Sequence, residues 1–196
     1  MNILIFHWRD TKHEWAGGSE IYIQEISERW VASGHSVTIF CGQNLAGNMP
    51  GDEVQRGVRI IRKGGRFSVY VWAFYYYLSQ FRTWCDVIVD AQNGIPFFTP
   101  LYSRKPKTVL VHHIHGHQFF VELPFPFNII GFCIEHYLFP LFYKKVRIIA
   151  VSQSTKHELE KLGFSPDDVH VVYHGVTGHP SRKADNQKFI TPTILY

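Results

Sequence analysis

Cysteine is scarce in this chain: Cys41, Cys85 and Cys133 are the three among 196 residues, odd in number, far apart and each in an apolar setting. That usage excludes a disulfide framework and a cysteine-based zinc knuckle, and it fits a reducing cytosol. Charge of one sign is nearly balanced, since twenty basic residues against sixteen acidic ones leave a net charge of +4. Such an excess suits an anionic ligand or bilayer surface but is too mild to indicate nucleic acid, and no RNA- or DNA-binding motif accompanies it. No window reaches the roughly eighteen uninterrupted apolar residues of a spanning helix. The opening "MNILIFHWRD" lacks the basic start and long apolar core of a secretory signal. Internal repeats and low-complexity tracts are missing too. So are two common phosphate loops: "GGSEIY" does not have G-x-G-x-x-G spacing, and no G-x-x-x-x-G-K-[ST] occurs.

What is present is a packed, ring-rich composition, 45% hydrophobic and 16% aromatic with 18% charged. The length suits one buried domain. Short β-branched runs, "NILIF", "SVTIF" (36–40), "GVRIIR" (57–62), "DVIVD" (86–90), "TVLVHH" (108–113), "VRIIAVS" (146–152) and "VHVVYH" (169–174), read as buried parallel strands. Between the first two, Tyr22, Ile26 and Trp30 recur at helical spacing and Gly34 stops the run. Further helices are expected over 67–82, 128–144 and 153–162, the last capped by Ser152 or Ser154. Alternating strands and helices imply an α/β fold with a Rossmann-like, doubly wound parallel sheet. Residues 176–190 are polar and aperiodic, as in a linker, and "TPTILY" after them resembles the first strand of another unit.

Gly17 and Gly18 fall in the loop between the first strand and the first helix, where open α/β sheets bind ligands. Without Cβ atoms they can take positive φ and bring backbone amides close to an anion or a sugar, beside a helix N-terminus suited to phosphate. They can equally do no more than make the turn.

"VHHIHGHQ" places His112, His113, His115 and His117 at a strand end. If the strand continues, alternation puts His113, His115 and His117 on one side and His112 on the other. The row invites a zinc hypothesis, with Glu122 or Asp90 as a carboxylate ligand, and hence a His-rich metal-dependent hydrolase. Hydrogen bonding without metal, or burial, explains histidines equally well. Asp90, Gln92 and Asn93 can serve sugar hydroxyls or ordinary turn chemistry, and Ser152 and Thr155 a ligand or a helix cap.

"AGGSEIYIQEISERWVASGHSVTIFCG" resembles the start of a family 4 glycosyltransferase, with its strand, GG-x-E loop, long helix and "GH-x-V-T". "GVRIIRKGGR", "VLVHHIHGHQFF", "IIAVSQSTKHELEKLGFSPDDVHVVYHGV" and "PTILY" resemble the same N-terminal domain in the expected order. The resemblance implies a retaining enzyme of GT-B fold, in which two Rossmann-like domains face each other across a cleft. The N-terminal one mostly holds the acceptor and the C-terminal one the nucleotide sugar. Residues 1–175 then form the acceptor-side domain, 176–190 the linker and 191–196 a truncated first strand of the donor domain, whose lysine and E-x7-E pair are missing. The partners implied are a nucleotide sugar, as donor substrate rather than cofactor, a glycan or lipid-linked acceptor, and a donor domain supplied in cis or in trans. A split enzyme, with the donor domain as a separate chain, is the alternative. By itself the chain is expected to be inactive.

Residue by residue, the resemblance assigns His112 to the reacting sugar and Gly17, Gly18 and Glu20 to the loop. It makes Asn93, His113, His115, Ser152 and Thr155 substrate contacts. His174-Gly175 stands where the family often has Asn-Gly, which alters the usual interdomain contact. Glu20 and Glu28 also stand in E-x7-E spacing, but on the wrong domain, and read as carboxylates on a solvated helix face.

"RFSVYVWAFYYYLSQFRTW" and "HQFFVELPFPFNIIGFCIEHYLFPLFYKK" are apolar nearly all round. Burial on both sides explains such helices most simply. With Arg66, Arg82, Lys144 and Lys145 flanking them, they also suit a surface that dips into a bilayer, so a cytoplasmic protein peripheral at the inner face of the plasma membrane is the interfacial expectation.

Overall fold

The computed structural model describes residues 1–175. The expected linker over 176–190 and strand over 191–196 lie outside the described residues. Eight strands form one sheet: β1 (Asn2–Phe6), β2 (Ser36–Cys41), β3 (Asp52–Gln55), β4 (Val58–Arg62), β5 (Val87–Gln92), β6 (Lys107–Val111), β7 (Arg147–Ala150) and β8 (Val169–Val171). Their spatial order is β3-β4-β2-β1-β5-β6-β7-β8. Only β3, hydrogen-bonded to β4, runs antiparallel. The order reverses between β1 and β5, and this is the switch point outside which doubly wound sheets bind ligands.

Period-two alternation decides the layers. Ile3 and Ile5 of β1 point into a core with Val37, Ile39, Val89 and Ile23 of helix α1 (Gly18–Ala32). Leu4 and Phe6 point the other way, onto Phe40, Ile61, Ile88 and the Val69 and Ala73 side chains of α2 (Val69–Tyr76). A third cluster joins Val109, Val111, Ile148 and Ala150 to Phe139, Tyr143 and Leu159. Buried on both faces, the central strands read as continuous apolar runs. α1 ends at Ser33, and Gly34 follows at φ +84° with its amide on the Val31 carbonyl at 2.9 Å.

Three local expectations are corrected. The edge strand β3, "DEVQ", is too polar to be read as a strand, as edge strands that resist further pairing tend to be. The helix expected over 67–82 breaks into α2, a π-turn at Tyr77–Phe81 and α3 (Arg82–Trp84). That expected over 128–144 breaks likewise, into α6 (Phe127–Cys133), a π-turn at Ile134–Leu138 and α7 (Phe139–Tyr143). Before it lie α4 (Thr99–Tyr102) and α5 (Phe119–Glu122), and after it α8 (Gln153–Lys161). Each π-turn inserts an extra residue and re-aims the side chains beyond it. One consequence is that these aromatic helices are not buried all round. α2 and its π-turn bury Val69, Ala73 and Tyr77 but expose Val71, Trp72, Tyr75 and Leu78. Phe125, Ile129, Tyr137 and Leu141 are exposed on the second stretch.

Candidate functional site

A cleft of about 470 Å³ opens at the carboxyl edge of the sheet, over the switch point. Its middle is formed by Gly17, Gly18 and Ser19 at the start of α1 and by Asn93, Gly94 and Ile95 after β5. His112, His113, His115 and His174 line one side, and Trp8, Arg9, Arg66, Phe67 and Tyr70 the other.

The loop from β1 to α1 is held from below. Arg62, at the end of β4, is 1% exposed and grips Asp10 of that loop through Nη2–Oδ2 at 2.6 Å and Nε–Oδ1 at 3.2 Å. Its Nη1 donates to Glu53 and to the Pro50 carbonyl. A two-point guanidinium–carboxylate pair is both strong and directional. Closer to the cleft, Glu20 is 2% exposed. Its Oε2 accepts the Gly17 amide at 2.6 Å, and its Oε1 accepts Arg9 Nε at 2.8 Å and Ser19 Oγ at 2.7 Å. Burial works against ionisation of Glu20, but the hydrogen bonds from Arg9, Ser19 and the Gly17 amide help to hold the carboxyl below its usual range. Glu20 is therefore no solvated surface carboxylate, in contrast to the expectation above. His7 lies fully buried beside it, Nε2 3.6 Å from Oε1, while Nδ1 donates to the Arg9 carbonyl at 2.6 Å. Burial lowers the His7 pKa, so the ring is neutral.

The glycine pair does not use left-handed backbone. Gly17 is extended (φ −142°, ψ −154°), and Gly18 is not at positive φ either. A Cβ on Gly18 would meet nothing within 4 Å, because that direction is the cleft itself. Gly18 provides bare backbone facing open space at a helix N-terminus, where first-turn amides have no intrahelical acceptor, while Gly17 gives its amide to Glu20.

On the histidine side, β6 stops at Val111, so strand alternation does not govern His112 to His117. The loop is instead tied down by Glu135, fully buried on the second π-turn, which accepts the amides of His115 at 2.8 Å and Gly116 at 2.6 Å. The His113 and His115 rings lie 4.2 Å apart and His115 stacks on Phe119 at 4.9 Å. Gly94, at φ +91°, lets the chain pass the His115 ring, since a Cβ there would sit 3.2 Å from Cε1. His112 packs edge-on to Tyr22 at 5.7 Å, with His174 5.5 Å away, and its carbonyl accepts Thr155 Oγ1 at 3.2 Å. Burial, with His7 and His174 nearby, lowers the His112 pKa to about 3. Burial and His115 lower that of His113. Both rings are neutral at ordinary pH. Among the described residues, His112 Nε2 is buried without a hydrogen-bond partner.

Gly17, Gly18, Asn93, His112, His113, His115 and His174 thus meet in one cleft. Glu20 sits beneath it. Ser152 and Thr155 do not line it: Ser152 caps α8 by accepting the Thr155 amide at 3.1 Å, and Thr155 holds His112 from behind. Gly175 lies outside the lining. Asp90 and Gln92 are fully buried. Asp90 accepts Tyr143 Oη, Thr99 Oγ1 and the Phe97 amide, and burial raises its pKa against those bonds. Both are structural rather than sugar-binding. Among the described residues no three His, Cys, Asp or Glu side chains are grouped to hold a metal ion; the cleft histidines pack ring on ring instead. Sequence reading missed Trp8, Arg9, Phe67, Tyr70 and Gln118. The signal for the first two was their place directly after the first strand.

A doubly wound sheet with an open cleft at its switch point is a ligand-binding architecture. The sequence profile of Glycosyltransferase Family 4 matches residues 16–177, and the chain belongs to that family. No curated protein matches it in sequence. In structure it is similar to sucrose-phosphate synthase from Thermosynechococcus elongatus, at 15% identity and TM-score 0.61, over 88% of this chain and 47% of that one. It is also similar to Anabaena HepE solved in complex with UDP-glucose, at 14% identity and TM-score 0.56, over 90% of this chain and 44% of that one. The fold is that of one half of a GT-B glycosyltransferase, and the chain spans less than half the length of these neighbours. No helix among the described residues is long and apolar enough to cross a membrane.

Proposed function

We propose that this chain is the acceptor-side domain of a retaining glycosyltransferase that moves a sugar from a nucleotide-sugar donor to a glycan or lipid-linked acceptor. The observation that carries the reading is the convergence of three features on one open cleft: the bare backbone at Gly18, the N-terminus of α1 and the neutral ring of His112. The HepE neighbour's complex with UDP-glucose supports a nucleotide sugar as donor.

In this arrangement the first-turn amides of α1 lie beside the diphosphate as it departs, and their fixed dipoles stabilise the charge that develops there. Neutral His112 hydrogen-bonds a hydroxyl of the reacting sugar through Nε2 and orients it. It carries no charge, so it contributes direction rather than Coulomb energy. Thr155 and Glu135, from behind, keep the histidine loop in place. A second domain, in cis or in trans, supplies the opposite wall and most of the donor contacts, and alone this chain gives no turnover.

The test is titration of the chain with UDP-glucose, followed by NMR shifts of the Gly17, Gly18 and His112 amides, alongside an assay for released UDP. Weak binding, with Kd on the order of 1 mM, shifts confined to the cleft and no turnover are expected. If neither UDP-glucose nor other nucleotide sugars move those signals, the site assignment fails. Turnover by the chain alone overturns its incompleteness.

The exposed apolar side chains of α2 and of α6–α7, joined by Phe67 stacked on Phe127 at 5.4 Å, favour a bilayer as the place of work. Arg66, Arg82, Lys144 and Lys145 are all exposed at the ends of these segments. Such a surface inserts rings below the headgroups and sets cations against anionic lipid. Co-sedimentation with vesicles containing anionic lipid, lost in neutral ones, is the expected outcome; no difference between the two would remove membrane docking.

A further inference from the structure

Two guanidinium groups face the cleft on the side away from the histidines. Arg9 lies over Trp8, Cζ 4.4 Å from the ring centroid, and uses Nε for Glu20. Among the described residues, its Nη1 and Nη2 meet no acceptor. Arg66 lies 5.8 Å from the Trp15 ring and 5.7 Å from the Phe67 ring, and no described carboxylate pairs with it. Arg29, Arg56, Arg59 and Arg62 are each paired with a carboxylate, as Arg9 is through Nε, whereas, among the described residues, Arg66 is not. Trp8 and Trp15 stand between the two cations, ring centroids 6.3 Å apart. Arg9, Trp8 and Arg66 line the cleft on this side, and Trp15 joins them from outside the lining.

Glu20 already serves Arg9 from beneath, and Glu122, the carboxylate in the lining, stands with its charge on the histidine side, where it accepts from Gln118. His112 and His113 are neutral. The wall does not offer a neutral sugar what it would need, because carboxylates and amides that read hydroxyl groups are lacking there, while Asn93 and Gln118 lie elsewhere in the lining. It offers planar two-point donors, which match oxyanions, and flat apolar faces, which pack the C–H face of a pyranose. Guanidinium groups already stacked on rings lose little freedom on binding.

We propose that this wall is the acceptor subsite and that the acceptor is a sugar carrying an anionic group, a phosphate or a carboxylate, held by Arg66 and the free edge of Arg9 with its ring on Trp8 and Phe67. This rests on the glycosyltransferase reading and adds the acceptor's chemical class to it. The histidine side and the glycine loop remain for the donor sugar.

The experiment titrates glucose 1-phosphate, glucuronate, glucose and inorganic phosphate into the chain and follows the indole N–H signals of Trp8 and Trp15 by NMR. At least one of the two anionic sugars binds about tenfold more tightly than glucose and than phosphate alone, and added salt weakens it. A response to glucose 1-phosphate alone assigns a phosphate, to glucuronate alone a carboxylate, and to both a general anion site. Arg66→Gln lowers the anionic sugar's affinity about tenfold with no change in melting temperature, as its exposed position requires. Equal binding of glucose, equal binding of free phosphate, no indole shift up to roughly 50 mM, or an unchanged affinity in R66Q each overturn the inference. The donor side is judged on the His112 signal, across the cleft from Arg9 and Arg66, so the two readings fail separately.

Discussion

Glu20 and Glu135 do the same job in two parts of the cleft: each is a buried carboxylate that accepts loop amides, Glu20 from Gly17 and Glu135 from His115 and Gly116. They differ in company and in reach. Glu20 is three residues from the amide it binds and also pairs with Arg9 and Ser19, so its charge is answered locally. Glu135 is nineteen and twenty residues from its amides, has no guanidinium beside it among the described residues, and depends on a π-turn to face inward. One site wall is thus a local motif and the other a tertiary arrangement.

The largest effect that sharpens this comparison is expected at Glu135. Glu135→Ala leaves two loop amides without an acceptor and should cost about 2–4 kcal/mol in urea unfolding, with the His115 signals displaced. Glu20→Gln keeps the shape but leaves Arg9 unanswered; because Arg9 reaches solvent at 16% of its side chain, a smaller loss of about 1–2 kcal/mol is expected. A greater loss at Glu20 than at Glu135 would break the comparison.

Acid tests both walls together. His7, His112 and His113 all have folded-state pKa values below their ordinary one, His112 at about 3. Below about pH 6.5 the unfolded chain binds protons on these rings that the folded chain refuses, so their contribution is complete above that pH and is lost on descent toward 3. Glu20, held low, adds a loss in the same direction below the ordinary carboxylate range. The melting temperature should fall by about 4 °C between pH 7.5 and 5, and a rise would show that the rings gain partners when charged. The smallest effect is at Gly18: with no atom near its Cβ direction and no positive φ, Gly18→Ala should change stability by less than about 0.5 kcal/mol while weakening UDP-glucose binding. A large loss of stability would make the glycine structural after all.

The same contrast explains how much could be read in advance. GG-x-E was legible because its contacts lie within one helical turn, and His112 because it directly follows a strand. The aromatic stretches misled because burial is the commonest fate of an all-round apolar helix, and no local pattern announces that Trp72, Tyr75 and Tyr137 will face outward. Asp90 and Gln92 share a strand end with Asn93, yet the first two point inward and only Asn93 reaches the cleft. Arg62, buried against Asp10 across fifty-two positions, carries no sign in sequence of which carboxylate it will meet.

By itself the sequence determined the alternation of strands and helices, the family, and the glycine loop that lines the cleft. Those follow from periodicity and short-range contacts, which the chain carries along its length. Tertiary structure alone decided that the histidine loop hangs from Glu135, that burial keeps His112 and His113 neutral, and that Arg9 and Arg66 share a wall. Desolvation and long-range pairing create those properties, and neither exists until the sheet has brought distant segments together.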